Sequence, residues 1–282
     1  MPIVDREMER AEGRPVVAWA LALFALTSIG ALPLLVTGIP LSRVFSASPQ
    51  WLFLLGVELT AFAPTLAALL ITRIVGNIGL GGVPRHPRAG LGWYIVALFG
   101  STLVSVLAVA IEVAFGGPRP SVSLTLPELN AISLIGGLIV GPLGEELGWR
   151  GFAQRRLQTR YGALGASVLV GLIWSVWHEW PIATGEPADL ASIALFSLRL
   201  VALSILFAFL YNATGTLLLP MTAHAGHNLA NQLLPRVDGD QLRGPIELLL
   251  YVALSLTVIA VFGARTLSPK GRAGAAAAPP QS

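Results

Sequence analysis

Two adjacent glutamates and an arginine stand inside an otherwise apolar segment, GPLGEELGWR, at residues 141–150. A charge at the centre of a membrane-spanning helix costs about 2.5–3.5 kcal/mol on insertion scales, so such residues are candidates for function. On a helix Glu146 and Arg150 are four residues apart and can form an ion pair, whereas Glu145 points about 100° away. This spacing predicts that Glu146 is neutralised and that Glu145 faces a cavity. The alternative is a solvated helix end at the cytoplasmic interface.

A histidine lies late in a second apolar segment, at His178 of IWSVWHEWP, residues 173–181. Its three tryptophan neighbours are also typical of an aromatic belt at the outer membrane interface, where a polar side chain faces lipid headgroups. We favour that interpretation for Glu179. For His178 it remains the alternative to a role in the same site as Glu145.

The spacing of the two segments favours a shared site. The residues after Arg150 suit a basic helix that ends at Gly162, a glycine in the C-cap position. If the chain reverses at Tyr161-Gly162, Glu145 and His178 each lie 16–17 residues from the turn. Antiparallel helices then put both residues at one level, about 25 Å from the turn.

A third polar group lies in MTAHAGHNLANQ, residues 221–232. His224 and Asn228 are four residues apart and share a helix face, and His227 and Asn231 form a second such pair on another face. For His227 and Asn231 we favour structural hydrogen bonds between helices. His224 and Asn228 are the pair we expect at the site.

Other ionisable residues in apolar segments have less specific patterns. We interpret Glu58, Glu112 and Arg199 as members of structural pairs or as rim residues. His86 is interpreted as a loop histidine.

The elements that carry these groups are membrane helices. The 282-residue chain has 54% hydrophobic and 12% charged residues and a mean hydropathy of +0.73, whereas soluble domains carry about 25% charged residues. Eight apolar runs have about the 20 residues that a bilayer requires, which predicts an all-α polytopic membrane protein. The runs are 16–36, 51–74, 91–114, 131–149, 163–182, 190–211, 215–234 and 246–264.

Basic residues predict the orientation, since loops rich in Lys and Arg stay in the cytoplasm. With the N-terminus inside, 13 of the 18 Lys and Arg residues are cytoplasmic, four are outside and one lies within a span. Both termini are therefore expected in the cytoplasm, and the location is expected to be a bacterial inner or plasma membrane. The predicted organisation is a cytoplasmic segment 1–15, a membrane domain 16–264 with its catalytic core at 131–234, and a disordered tail 265–282.

Composition also excludes several classes. The chain has no cysteine, so disulfides, thiolate metal sites and cysteine nucleophiles are excluded. The net charge of +3 reflects topology, and we expect no nucleic-acid partner. No clear internal repeat is visible, which counts against a transporter built from inverted halves.

Three motifs in order resemble the CPBP family of membrane-embedded CAAX-processing endopeptidases and bacteriocin-immunity relatives. The family pattern is EExxxR, FxxxH and HxxxN, and the resemblance covers about residues 140–232. The matching positions are Glu145, Glu146 and Arg150, then Trp174 and His178, then His224 and Asn228. Trp174 departs from the usual phenylalanine but keeps an aromatic wall.

The resemblance implies an intramembrane endopeptidase with an eight-helix core. In that interpretation Glu145 and His178 hold and deprotonate a water, and His224 and Asn228 donate hydrogen bonds to the tetrahedral oxyanion. The pair Glu146–Arg150 would hold its helix in register and aim Glu145. The expected partners are the bilayer and a peptide or membrane-protein substrate, with the oligomeric state open.

A zinc site is the alternative for the chemistry, with Glu145, His178 and His224 as ligands and water as the fourth. The zinc-protease helix motif is absent because Ile182 stands where a second histidine is needed. We therefore favour catalysis without a cofactor.

Two further functions stay open. A proton- or ion-coupled carrier could use the buried His and Glu side chains as a relay. A catalytically silent scaffold or immunity protein is the other possibility.

Overall fold

The computed structural model describes residues 3–39, 51–75, 89–119, 135–183, 189–234 and 241–269. Within these ranges every regular element is helical, as predicted. In chain order the elements are α1 (Ile3–Thr37), α2 (Trp51–Val75), α3 (Leu91–Ala114), π1 (Gly136–Val140), α4 (Gly141–Glu146), π2 (Leu147–Gln154), α5 (Arg155–Trp177), α6 (Trp180–Ala183), α7 (Leu190–Thr214), α8 (Leu218–Leu233) and α9 (Arg243–Phe262).

The helices make the chain a multi-pass membrane protein. Six helical stretches in the described residues are long and apolar enough to cross a bilayer, and these are 14–37, 52–75, 91–114, 136–183, 190–214 and 243–262. Two predicted spans, 131–149 and 163–182, overlap the single stretch 136–183. The predicted span 215–234 corresponds to α8, whose 16 residues reach about 24 Å against a hydrocarbon core of about 30 Å. The predicted count of eight is therefore not confirmed.

The predicted reversal at Gly162 is present. Gly162 has φ 68° and ψ 173° inside α5, a conformation that favours glycine. The side-chain Nε2 of Gln154 donates to the carbonyl of Ala163 (3.2 Å) and to Ser167 Oγ (3.2 Å). The two arms of this hairpin, π2 and the second part of α5, are thus joined close to the turn.

The end of the described chain packs against this turn. The backbone amides of Ala163 and Leu164 donate to the carbonyls of Arg265 and Ala264, both at 2.9 Å. Leu267 is fully buried. These residues lie at the start of the segment predicted as a tail, and residues 270–282 are outside the described ranges.

Small residues let the helices around the charged segment approach closely. A Cβ atom on Gly144 would lie 2.6 Å from the carbonyl oxygen of Ala61, and one on Gly148 would overlap Pro64. Thr65 Oγ1 also donates to the carbonyl of Leu143 at 3.3 Å. Backbone contact through small residues is a common form of packing between membrane helices. It fixes α4 and π2 against α2.

A buried aromatic cluster supports the same segment from α1. The indole of Trp19 lies edge-on to Trp149 with ring centroids 5.2 Å apart, and it stacks on Phe152 at 6.1 Å. Its Nε1 donates to the carbonyl of Pro64 at 2.9 Å. The buried ring of Trp19 therefore packs on π2, the segment that carries Arg150.

Candidate active site

The two glutamates lie where the helix changes type. Glu145 and Glu146 end the six-residue segment α4, which lies between the π-helical segments π1 and π2. π-helical turns are rare and are often found at functional sites. Sequence analysis assumed a regular α-helix here and missed them. The sequence feature that accompanies them is a series of closely spaced glycines at 136, 137, 141, 144, 148 and 151.

Glu146 is fully buried, and one of its carboxylate oxygens contacts both Arg150 and His224. Arg150 Nη1 donates to Glu146 Oε1 at 2.9 Å, so the ion pair predicted from the i, i+4 spacing is confirmed. His224 Nδ1 lies 2.9 Å from the same oxygen. A carboxylate oxygen accepts hydrogen bonds, so Nδ1 of His224 carries the proton. Sequence analysis did not predict this bond between α4 and α8.

The Arg150 guanidinium is also buried, and aromatic rings enclose it. Its Cζ atom lies 5.1 Å from the ring centroid of Trp174 and 5.1 Å from that of Phe207. Cation–π contacts and the ion pair with Glu146 offset the removal of the charge from water. Phe207 was not identified from the sequence, because nothing near it in the chain marks it.

Glu145 is 5% exposed, and its two oxygens have different surroundings. Oε2 accepts hydrogen bonds from Trp149 Nε1 at 3.1 Å and from Trp174 Nε1 at 2.8 Å. Oε1 lies 3.8 Å from His224 Nε2, which is too long for a direct hydrogen bond. One oxygen is therefore held by indole donors, and the other faces an imidazole.

His178 lies directly after the last residue of α5. Its Nδ1 is 2.9 Å from the carbonyl oxygen of Trp174, so Nδ1 donates and the Nε2 of a neutral ring is left as an acceptor. The imidazole packs on Trp174 (5.6 Å between centroids), Trp177 (4.7 Å) and Phe196 (5.5 Å). These contacts hold the ring on one side of the hairpin.

The common level of Glu145 and His178 stays a prediction. Trp174, four residues before His178, makes a direct contact with Glu145. No hydrogen bond or ion pair joins Glu145 to His178 within the described residues, although the two groups interact electrostatically.

Asn228 lies on the same face of α8 as His224, as the spacing predicted. Its Nδ2 donates to the carbonyl of Gly137 at 2.8 Å. A Cβ atom placed on Gly141 would lie 3.5 Å from Asn228 Nδ2 and 3.7 Å from Glu145 Oε1. The amide and the carboxylate oxygen therefore lie on the same side of the chain at Gly141.

The other polar pair of α8 has structural bonds. Asn231 Nδ2 lies 3.3 Å from His227 Nε2, and the Tyr251 hydroxyl lies 3.4 Å from His227 Nδ1. Both partners belong to α8 or α9 and not to the segments with the glutamates. The predicted hydrogen bond between helices is therefore present for His227, with Tyr251 of α9, whereas Asn231 bonds within α8.

A second ionic cluster lies away from this site. Glu247 accepts from Arg199 Nη1 (2.9 Å), Arg243 Nε (3.0 Å) and Ser105 Oγ (2.9 Å). This confirms Arg199 as part of a structural pair.

The structure tests the interpretations of Glu112 and Glu58 but not that of His86. The carboxylate of Glu112 is buried and accepts from the Leu242 amide at 3.0 Å, so it too is structural. Glu58 has no hydrogen bond or ion pair to any residue that the structure describes, and its half-buried side chain fits the interpretation as a rim residue. His86 lies outside the described ranges.

The proposed zinc ligands do not form a metal-binding group. Across the described part of the chain, no three His, Cys, Asp or Glu side chains are arranged to hold a metal ion. Glu145, His178 and His224 therefore do not fit the zinc alternative in this arrangement. The chemistry of the site is considered below from the side chains themselves.

A known protein family matches the segment that holds this site. Residues 127–230 match the family described as type II CAAX prenyl endopeptidase Rce1-like, and that segment contains Glu145, His178, His224 and Asn228. A curated relative, CAAX prenyl protease 2 of Methanococcus maripaludis, is 33% identical over 78 residues. The alignment covers 27% of this chain and 29% of the length of that relative.

Proposed function

We propose that the chain is an intramembrane endopeptidase, because residues 127–230 match the family described as type II CAAX prenyl endopeptidase Rce1-like. Its substrate is a peptide precursor or membrane protein, and it acts in the cell membrane with both termini in the cytoplasm. The observation that carries the proposal is the approach of Glu145 Oε1 to His224 Nε2, 3.8 Å apart in a buried site. A carboxylate and an imidazole that converge in this way can hold one water between them.

The balance of charge among the four ionisable groups of the site supports one protonation state for His224. Glu145 and Glu146 supply two negative charges, and Arg150 supplies one positive charge. Burying a net charge costs several kcal/mol, so such clusters are normally neutral. A protonated His224 completes the balance, with Nδ1–H bonded to Glu146 (2.9 Å) and Nε2–H directed toward the substrate side of Glu145.

The reaction then follows from the positions of the donors and acceptors. Glu145 takes a proton from water, and the resulting hydroxide attacks the scissile carbonyl carbon. His178 Nε2 accepts a hydrogen bond from the remaining O–H of that water, because Nδ1 already donates to the Trp174 carbonyl. When the C–N bond breaks, Glu145 returns the proton to the leaving amine.

Two donors are available for the oxyanion that forms in the attack. His224 Nε2–H and one N–H of Asn228 face the space beside Glu145 Oε1, and Asn228 is held in place by its bond to the Gly137 carbonyl. Loss of one such donor lowers kcat by about 10²–10³ in a comparable oxyanion hole. Glu146 positions His224 and keeps it protonated, and Arg150 acts through Glu146, with which it forms an ion pair.

Internally quenched peptides test the proposal. The purified protein in detergent micelles is given one peptide that ends in a farnesylated CAAX sequence, the substrate type in the name of the relative, and the same peptide without the lipid. We expect cleavage of the unmodified peptide by the wild type and loss of cleavage in Glu145→Ala. Glu179→Ala, a control in the same hairpin, keeps the wild-type rate.

Three outcomes contradict parts of this proposal. Cleavage at full rate in Glu145→Ala rules out this carboxylate as the base. Cleavage of the farnesylated peptide alone shows that the substrate class is wrong. A wild-type protein that cleaves neither peptide nor any membrane protein supplied with it fits a scaffold or carrier and not a protease.

A further inference from the structure

Two indole groups from different elements donate to a single oxygen of Glu145. Trp149 Nε1 of π2 lies 3.1 Å from Glu145 Oε2, and Trp174 Nε1 of α5 lies 2.8 Å from the same atom. An indole N–H can only donate, so both bonds require Oε2 as the acceptor. Hydrogen bonds to an ionised carboxylate are stronger than those between neutral groups.

Both indoles are held rigidly. Trp149 is 0% and Trp174 1% exposed, and their ring centroids are 6.4 Å apart. Trp149 also lies edge-on to Trp19 (5.2 Å), while Trp174 packs edge-on against the imidazole of His224 (5.3 Å). Because close-packed rings have few alternative rotamers, neither donor can turn away from the carboxylate without moving its neighbours.

The two bonds leave the oxygens of Glu145 chemically different. Oε2 has two donors, which is the number its lone pairs accommodate. Oε1 lies toward His224 Nε2 (3.8 Å) and toward the space at Gly141 and Asn228. Only Oε1 therefore has free capacity on the side where a substrate can lie.

We propose that Trp149 and Trp174 form an indole clamp that fixes Glu145 and selects Oε1 as the oxygen that takes the proton from water. This inference rests on the proposed function. The indoles are positioning residues, since they touch the base and not the substrate. A phenylalanine at position 174 would keep the aromatic wall but could not donate, so the tryptophan at this position has a chemical role beyond packing.

The kinetic test compares three tryptophans. Trp174→Phe and Trp149→Phe remove one donor each, and we expect kcat on the quenched peptide to fall about tenfold with KM within about twofold. Trp93→Phe is the matched control, because Trp93 lies in α3 and packs on Phe209 with ring centroids 6.0 Å apart, and among the described residues it makes no hydrogen bond to Glu145. Its kcat should stay within about twofold of the wild type.

A second measurement does not depend on activity. In a ¹⁵N,¹³C-labelled protein the indole N–H resonances are assigned by triple-resonance spectra, without the Trp→Phe variants. We expect Glu145→Ala to shift the resonances of Trp149 and Trp174, which lose their acceptor, and to leave that of Trp93 in place. This readout remains valid if Trp149→Phe or Trp174→Phe folds poorly, because Glu145→Ala keeps both rings.

The failures can be distinguished. Unmoved Trp149 and Trp174 resonances, or unchanged kcat in both Trp→Phe variants of an active enzyme, overturn the clamp and leave the protease proposal intact. An equal fall in kcat in Trp93→Phe also overturns it, because the effect is then not specific to the two indoles that donate to Glu145. Shifted resonances in a protein that cleaves nothing overturn the protease proposal and the role of the clamp in it.

Discussion

His224 Nδ1 lies 2.9 Å from Glu146 Oε1, although 78 residues separate the two in the chain. The same oxygen accepts from Arg150 Nη1 at 2.9 Å. The second glutamate of the pair is therefore more than a partner for the arginine of its own helix. It joins α4 to α8 and determines which nitrogen of His224 is directed toward Glu145.

The charge on Glu146 should control the protonation of His224. In Glu146→Gln the amide oxygen can still accept from Arg150 and His224, but the buried cluster is now neutral only if His224 is uncharged. We expect kcat to fall about 10²-fold, the loss of one oxyanion donor, with the fold retained. The measurement is kcat and KM on the quenched peptide together with thermal unfolding. Glu58→Gln serves as the control, and full activity in Glu146→Gln would show that His224 donates without a positive charge.

Asn228 should act on the transition state and not on substrate binding. Asn228→Ala removes an amide that lies beside Glu145 Oε1, and we expect kcat to fall about 10²-fold with KM within about threefold. Asn231→Ala is the matched control, because Asn231 is one turn further along α8 and pairs with His227. A change confined to KM would place Asn228 in substrate binding instead.

The second ionic cluster should determine stability and not activity. Glu247→Ala removes the carboxylate that Arg199 and Arg243 share, and breaking a buried ion pair costs about 3–5 kcal/mol. We expect a clear decrease in the unfolding temperature and an unchanged kcat per folded molecule. Ser105→Ala, which removes only a hydroxyl donor to Glu247, should decrease it less. A loss of kcat in Glu247→Ala at full stability would link this cluster to the active site.

Close contact at Gly144 should be required for the position of Glu145. In Gly144→Ala the new methyl group would lie 2.6 Å from the Ala61 carbonyl oxygen, so α2 and α4 must separate. We expect lower stability and at least a tenfold lower kcat. Gly100→Ala is the control, since a Cβ atom there has nothing within 4 Å and alanine favours the helix by about 1 kcal/mol. Equal activity in both variants would show that this contact does not position the glutamate.

Local patterns were sufficient to predict part of this structure. The spacing of Glu146 and Arg150 predicted their ion pair, and the glycine at 162 predicted the reversal of the chain. Hydropathy predicted an all-helical membrane protein because the bilayer imposes a minimum length on each apolar run. These features depend on residues that are near one another in the sequence.

Contacts between distant segments could not be predicted in the same way. A helical pattern shows that His224 and Asn228 share a face, but not that His224 meets Glu146 while Asn228 meets Gly137. The π-helical segments were not predicted either. Over only five to eight residues, the hydrophobic pattern of a π-helix cannot be distinguished from that of an α-helix. A count of residues from the turn also does not show that the indole of Trp174 donates to Glu145.

The hydrogen bonds from Ala163 and Leu164 to the carbonyls of Arg265 and Ala264 have a practical consequence. The first amides of a helix lack partners within it, and here the far end of the chain supplies them for the arm that bears His178. Residues 264–268 thus help to hold in place the hairpin that bears Glu145 and His178. Affinity tags and reporter fusions should therefore be placed after residue 268. A truncation at Gly263 would remove these hydrogen bonds and loosen the second part of α5.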